Sequence, residues 1–149
     1  MSRSRRILLL AVAVVAFLLV SAALARVLSA NGAERTAIKD ALTAQASGDP
    51  AALIASIDGC AQSAECRATA TENAARLRSS GELELVRLDL STGFSPFDTT
   101  GTARVVWTTP TRLTVVQCAR VRRDGNAVSG IEVKLLALSR PIGRETSCP

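Results

Sequence analysis

Nineteen residues from Ile7 to Ala25 form an apolar run broken only by Ser21, and Arg3, Arg5 and Arg6 stand immediately before it. As an α-helix this run spans about 28 Å, close to the roughly 30 Å hydrocarbon core of a bilayer. The arginines keep the N-terminal end in the cytoplasm, which puts everything after Arg26 outside. The chain therefore divides into a cytoplasmic tip and transmembrane helix over residues 1–26, a linker over 27–33 with Asn31-Gly32 as a breaker, and an exported domain over 34–149. A cleaved signal peptide is the competing reading, with a product secreted after cleavage near Ala25. Ala23-Leu24-Ala25 fits the small-residue cleavage pattern, but the run is longer than the roughly 7–15 residues usual for a signal peptide. That excess favours an uncleaved signal anchor whose partner is the lipid bilayer through residues 7–25. No cysteine lies near the end of the run, which argues against a lipoprotein anchor.

The formal charge of +5 invites a nucleic-acid reading, but its distribution argues against one. Setting aside Arg3, Arg5, Arg6 and Arg26 from the 18 basic residues leaves 14 against 13 acidic ones, so the exported part is nearly neutral. A nucleic-acid binder concentrates basic charge on one face. The chain contains no His and no Tyr. Histidine is the commonest general base near neutral pH and the commonest metal ligand. Its absence removes His-dependent triads, most zinc sites and the usual acid–base pairs, so neither a metal nor a cofactor is expected.

All four cysteines, Cys60, Cys66, Cys118 and Cys148, lie in the exported part. An even number in an oxidising compartment reads as two disulfides. Three pairings are open; proximity in sequence favours Cys60–Cys66 and hence Cys118–Cys148. Loop closure alone assigns them about 2.4 and about 3.7 kcal/mol respectively. Zinc spacings of the C-x₂₋₄-C type do not occur.

The order of elements reads as α+β. Ala37, Ile38, Ala41 and Leu42 recur at helical spacing from Glu34 to about Ala46, with Gln45 in the stripe by position but polar, which predicts an exposed last turn. Asp49 is an N-cap candidate and Pro50 fits the first position of a second, short helix. A third helix runs from about Ser63 to Arg78. After Gly81 the period changes to that of strands. Glu82 to Leu90 carries an apolar phase shift that signals a bulge or a strand buried on both sides. Thr102–Thr109, Leu113–Arg123 and Val128–Leu138 follow, with Asp124-Gly125-Asn126 as a hairpin turn. Glu132 is placed to pair across that hairpin with Arg120 or Arg122. The expected architecture is an N-terminal transmembrane helix, then about three helices packed on a curved four-stranded antiparallel sheet.

Three helices followed by an antiparallel meander, with Ser47-Gly48-Asp49-Pro50-Ala51-Ala52-Leu53 at the first helix–helix turn, resembles the NTF2-like, or cystatin-like α+β, superfamily. Many exported members of that superfamily carry one N-terminal membrane helix, including Mce-associated proteins and scaffold proteins of type IV secretion. The resemblance implies a helix-backed cone and a role in an envelope complex. Superfamily members resembling ketosteroid isomerase use an acidic base with Tyr or acid donors in that cone. Here Tyr is absent, and Asp58, Asp89 and Asp98 each have an ordinary place in a turn, a strand end and a loop, so no catalytic residue is assigned.

Trp107 and Gln117 share the mostly apolar strand face. They either line a small-molecule pocket or fill the core. Phe94 and Phe97 flank Pro96 in a long loop that either meets a partner or folds over the open end of the sheet. Arg104, Arg120, Arg122 and Arg123 read as a solvated strand face. The functional expectation is a non-catalytic, membrane-tethered binding or scaffold domain whose partner is another envelope protein, with a ligand-binding cone around Trp107 as the alternative.

The anchor reading makes the intact mass decisive. Protein extracted from membranes should retain its first 25 residues; a mature chain starting at Arg26 overturns the anchor.

Overall fold

The structure is a computed structural model, and it describes residues 3–89, 99–126 and 130–148. Phe94, Phe97 and Asp98 lie outside the described residues.

The chain is α+β. A 45-residue helix, α1 (Arg3–Ser47), is followed by α2 (Pro50–Ser56), a 3₁₀ turn (Cys60–Gln62) and α3 (Ala64–Arg76). The strands are β1 (Glu84–Asp89), β2 (Thr100–Thr109), β3 (Arg112–Asn126) and β4 (Gly130–Leu138). They form one open antiparallel sheet in the order β1-β2-β3-β4.

The first helix has two halves with opposite environments. Every residue from Ile7 to Ala25 is exposed. From Ala30 onward one stripe is buried: Ala30, Glu34, Ile38, Ala41, Leu42, Gln45 and Ala46, at helical spacing. The helix is long and apolar enough to cross a membrane.

Two expectations about this helix are corrected. Residues 27–33, expected as a linker, are helical and continuous with both halves. Asn31 and Gly32 together disfavour a helix by only about 1–2 kcal/mol relative to alanine. Against that stands Arg123 on β3, whose Nη2 donates to Asn31 Oδ1 at 2.9 Å and to Glu34 Oε2 at 2.7 Å. The last turn of α1, expected to be exposed at Gln45, is buried there instead, because Gln45 meets Gln117 across the core.

The short helices are set by their caps. Asp49 Oδ1 accepts from the Ala52 amide at 3.0 Å, with Pro50 in the first turn. Ser63 Oγ accepts from the Cys66 amide at 3.2 Å and opens α3. Gly81 carries the chain into β1 at φ +94°, where a Cβ would lie 2.8 Å from the Pro110 ring, so no other residue fits comfortably.

The core lies between the helices and one face of the sheet, built from Ile38, Leu42, Leu53, Ala70 and Ala74 against Ala103, Val105, Trp107, Ala119 and Val121. The apolar phase shift of β1 is a bulge: pairing with β2 slips between Leu85 and Arg87, which leaves Val86 exposed. A second irregularity falls between Arg120 and Val121. Asp124, Gly125 and Asn126 do not form the β3–β4 turn; they pair with Glu132, Ile131 and Gly130 as strand. This longer hairpin places Arg122 opposite Lys134 and Glu132 opposite Asp124, so the expected Glu132–arginine pair does not form. Arg122 turns to Asp58 and Asp124, at 3.0 and 2.9 Å.

Both disulfides are present as Cys60–Cys66 and Cys118–Cys148, with Cα separations of 5.2 and 5.6 Å. Cys118 and its cross-strand partner Arg104 alternate with core residues and so lie on the sheet face away from the helices. The tail after β4 crosses that face: Arg104 donates to the Arg144 carbonyl and Cys148 is bonded to Cys118.

Glu34 is fully buried and paired with Arg123, whose own side chain is 18% exposed. Breaking such a pair from one side strands a charge and costs about 3–5 kcal/mol. Arg123→Leu in the full chain should therefore lower stability by that order in urea melts, while Glu34→Leu with Arg123→Leu should recover much of the loss. A single variant within about 0.5 kcal/mol of the parent, the range of ordinary surface changes, would show that the pair does not hold the helix.

Candidate functional site

Five residues from five parts of the chain meet inside the domain. Gln45 comes from the inner stripe of α1, Asn73 from α3, Trp107 from β2, Gln117 from β3 and Ser139 from the segment just after β4. Strand alternation puts Trp107 and Gln117 on the helix-facing side, and both are fully buried.

Gln117 is the centre. Its Oε1 accepts from Trp107 Nε1 at 2.8 Å and from Gln45 Nε2 at 3.0 Å. Its Nε2 donates to Gln45 Oε1 at 3.1 Å and to the Ser139 carbonyl at 2.7 Å. An indole N–H only donates and a carbonyl only accepts, so these two neighbours determine which end of the Gln117 amide is oxygen. The two glutamines then close a reciprocal amide pair. Asn73 Nδ2 adds a second bond to the Ser139 carbonyl at 3.0 Å, and Ser139 Oγ accepts from the Cys118 amide at 2.9 Å.

The network contains no titratable side chain. A side-chain amide has two donors and two acceptor lone pairs, and Gln117 has all four engaged within the protein. What the arrangement does chemically is satisfy polar groups that the core would otherwise strand. Trp107 supplies the largest fully buried side chain and needs a partner for its N–H, which Gln117 provides. Sequence reasoning found Trp107 and Gln117 on one face but missed Gln45, Asn73 and Ser139. The signal for Gln45 was a polar residue in an otherwise apolar stripe, which marks either an exposed turn or a buried partner.

Of the acids considered for catalysis, Asp58 and Asp89 form ion pairs outside this cluster. Asp58 pairs with Arg122 at 3.0 Å, and Asp89 with Arg87 at 2.7 Å. Arg122 is held more firmly in its charged form than a free guanidinium, chiefly by its hydrogen bond to Asp124. Glu72 bridges Arg140 and Arg76, at 2.7 and 2.9 Å. The hydrogen bond from Arg140, then that from Arg76, holds its carboxyl below the usual range. Among the described residues no group of three or more His, Cys, Asp or Glu comes together to hold a metal ion. Of the four arginines expected on a solvated face, Arg120 is exposed, Arg104 and Arg122 are half-buried, and Arg123 is withdrawn onto α1.

Surface clefts surround the domain. One of about 280 Å³ lies between α3 and β4, with Ile57, Cys66, Ala70, Arg120 and Leu138 among its walls. Another, of about 530 Å³, lies beside the β2–β3 hairpin, with Leu77, Leu113, Val116, Pro141 and Ile142 in its lining. Leu113 is 85% exposed, an unusual position for a leucine.

No family model, no curated protein and no solved structure matches the chain.

Trp107→Ala should remove about 3–5 kcal/mol, comparable with the whole stability of a small domain, and prevent stable folding even with both disulfides formed. Gln117→Leu, although more apolar, should also destabilise, because it leaves the Trp107 N–H, the Gln45 amide and one buried carbonyl bond unmade at about 1–3 kcal/mol per unsatisfied group. Thermal melts test both, with the emission of the single tryptophan as a burial check. A solvent-like emission maximum with an unchanged Trp107→Ala melt would refute the core role.

Proposed function

We propose that this chain is a membrane-tethered, exported α+β domain that acts by binding another envelope protein, as an accessory or scaffold subunit, and not by catalysis. One observation carries the reading. A single helix is wholly exposed and apolar over a membrane's thickness and then becomes the central core helix of a folded domain. An apolar surface of that size is unstable in water and stable in a bilayer. The basic residues before it favour a cytoplasmic N-terminus, and two disulfides in the domain favour an oxidising compartment outside. Helices followed by an antiparallel meander are in keeping with the NTF2-like resemblance and with the anchored, non-enzymatic members of that superfamily.

The binding part of the proposal draws on the exposed Leu113 and the apolar cleft beside it. Against the small-molecule alternative stands the full engagement of Gln117, whose amide has no group left to offer a ligand beside Trp107.

The test uses the full chain in its native envelope. Alkaline carbonate should leave it in the membrane pellet, and protease added from outside should digest the domain while sparing the anchor. Release by carbonate, or protection of the domain, would contradict the tether. Turnover in a hydrolase or isomerase screen that Asp58→Asn or Asp89→Asn abolishes would contradict the non-catalytic part.

A further inference from the structure

The membrane-length run ends at Ala25, and among the described residues burial in the domain begins at Ala30. Five helical residues rise about 7.5 Å. The headgroup layer outside the hydrocarbon core is itself roughly 5–8 Å thick on each side. The domain therefore starts where the headgroups end, with no slack for a flexible stalk.

The weakest helix former in this junction is Gly32, and an added Cβ there would meet nothing within 4 Å, so packing does not support it directly. It is supported from both sides instead. Asn31 and Glu34 bracket it, and both accept from the same Nη2 of Arg123. Thr36 Oγ1 also donates back to the Gly32 carbonyl at 3.0 Å. The guanidinium thus splints the helix across the residue most apt to bend.

The direction of β3 follows from its contacts with α1. Gln117 meets Gln45, and Arg123 meets Asn31 and Glu34, so β3 runs back toward the membrane as α1 runs away from it. Beyond Arg123 the strand continues through Asp124, Gly125 and Asn126, paired with Glu132, Ile131 and Gly130. Three extended residues reach about 10 Å further. That length returns the hairpin to the level at which α1 leaves the hydrocarbon.

We infer that the paired ends of β3 and β4, residues 124–126 and 130–132, stand in the lipid headgroups, as a second, superficial contact with the bilayer that α1 crosses. This rests on the membrane reading of α1. The charges of that end balance within the protein: Asp124 is shared by Arg122 and Lys134, at 2.9 and 3.9 Å, and Lys134 lies 3.8 Å from Glu132, which leaves a near-neutral polar surface compatible with a zwitterionic headgroup layer. Ile131, 38% exposed, adds an apolar side chain at the same level. The opposite end, with Leu113, lies eleven residues up β3 from Asp124, about 36 Å if fully extended, and faces away from the membrane.

The experiment uses the full chain with one introduced thiol, because among the described residues no cysteine is free. Glu132→Cys and Leu113→Cys replace side chains that are well exposed, at 69% and 85% respectively. Each variant, labelled with a small fluorophore, is reconstituted in phosphatidylcholine vesicles containing a lipid with a nitroxide quencher on its headgroup. Quenching at residue 132 is expected to exceed that at residue 113 several-fold. Insertion of Gly-Gly-Ser-Gly between Leu28 and Ser29 should bring the two toward equality. Equal quenching at both positions in the chain without the insertion, or stronger quenching at 113, overturns the inference while leaving the membrane reading intact. A chain that does not float with the vesicles at all overturns both.

Discussion

A primary amide buried in protein has four hydrogen-bonding valences to satisfy, and the domain is arranged around one that satisfies all of them. Gln117 binds an indole, a second amide and a backbone carbonyl, and these belong to β2, to α1 and to the segment after β4. The constraint is directional, unlike the apolar packing around it. Leucines and valines tolerate small rotations between layers, whereas displacing α1 by one residue would break both amide–amide bonds and strip the buried Gln45 amide of its partner. The amide pair thereby selects one register of helix on sheet from the several that hydrophobic contact alone would allow.

The second polar contact between these layers, Arg123 with Glu34 and Asn31, lies at the other end of the same helix. Two separated polar contacts set both the position and the tilt of α1, as two screws hold a plate that one would let turn. The sheet's other face is secured differently. There the tail is strapped across β2 and β3 by a disulfide and by the Arg104–Arg144 contact, and Cys118 is covered as a result.

Local chemistry was legible in the chain. Asp49 before Pro50, Ser63 before an alanine-rich helix, the phase shift within β1 and the pairing of near cysteines all act within a few residues, and the structure has each of them. The failures share a cause. Gln45 in an apolar stripe is ambiguous until Gln117, 72 residues on, is brought opposite it. Asn31-Gly32 breaks a helix on local propensity, and only Arg123, 92 residues from Asn31, reverses that. Arg123 was grouped with Arg120 and Arg122, although alternation sets it on the face of Gln117 and Val121; what alternation does not report is the carboxylate that waits for it there. The length of the β3–β4 hairpin was misjudged because Asp124-Gly125 has turn chemistry that also fits the end of a long strand. Of the central cluster, the two strand residues were visible by alternation; Gln45, Asn73 and Ser139 were not, since their roles depend on packing between distant elements.

The polar contacts of α1 also bear on how the chain reaches its fold. Glu34 must wait for a residue 89 positions later, and Gln45 for one 72 positions later. Closing loops of that length is entropically costly before any contact rewards it, and chains dominated by such pairings fold slowly. The first helix thus completes its polar contacts only after the sheet has formed. Until the sheet arrives, only the nearby α2 and α3 can cover part of its core-facing stripe, and the rest is open to water and to other chains. The local Cys60–Cys66 loop can form early, whereas the assembly of α1 on the sheet is a late, cooperative event. Premature association of that uncovered stripe is the principal kinetic hazard built into this topology.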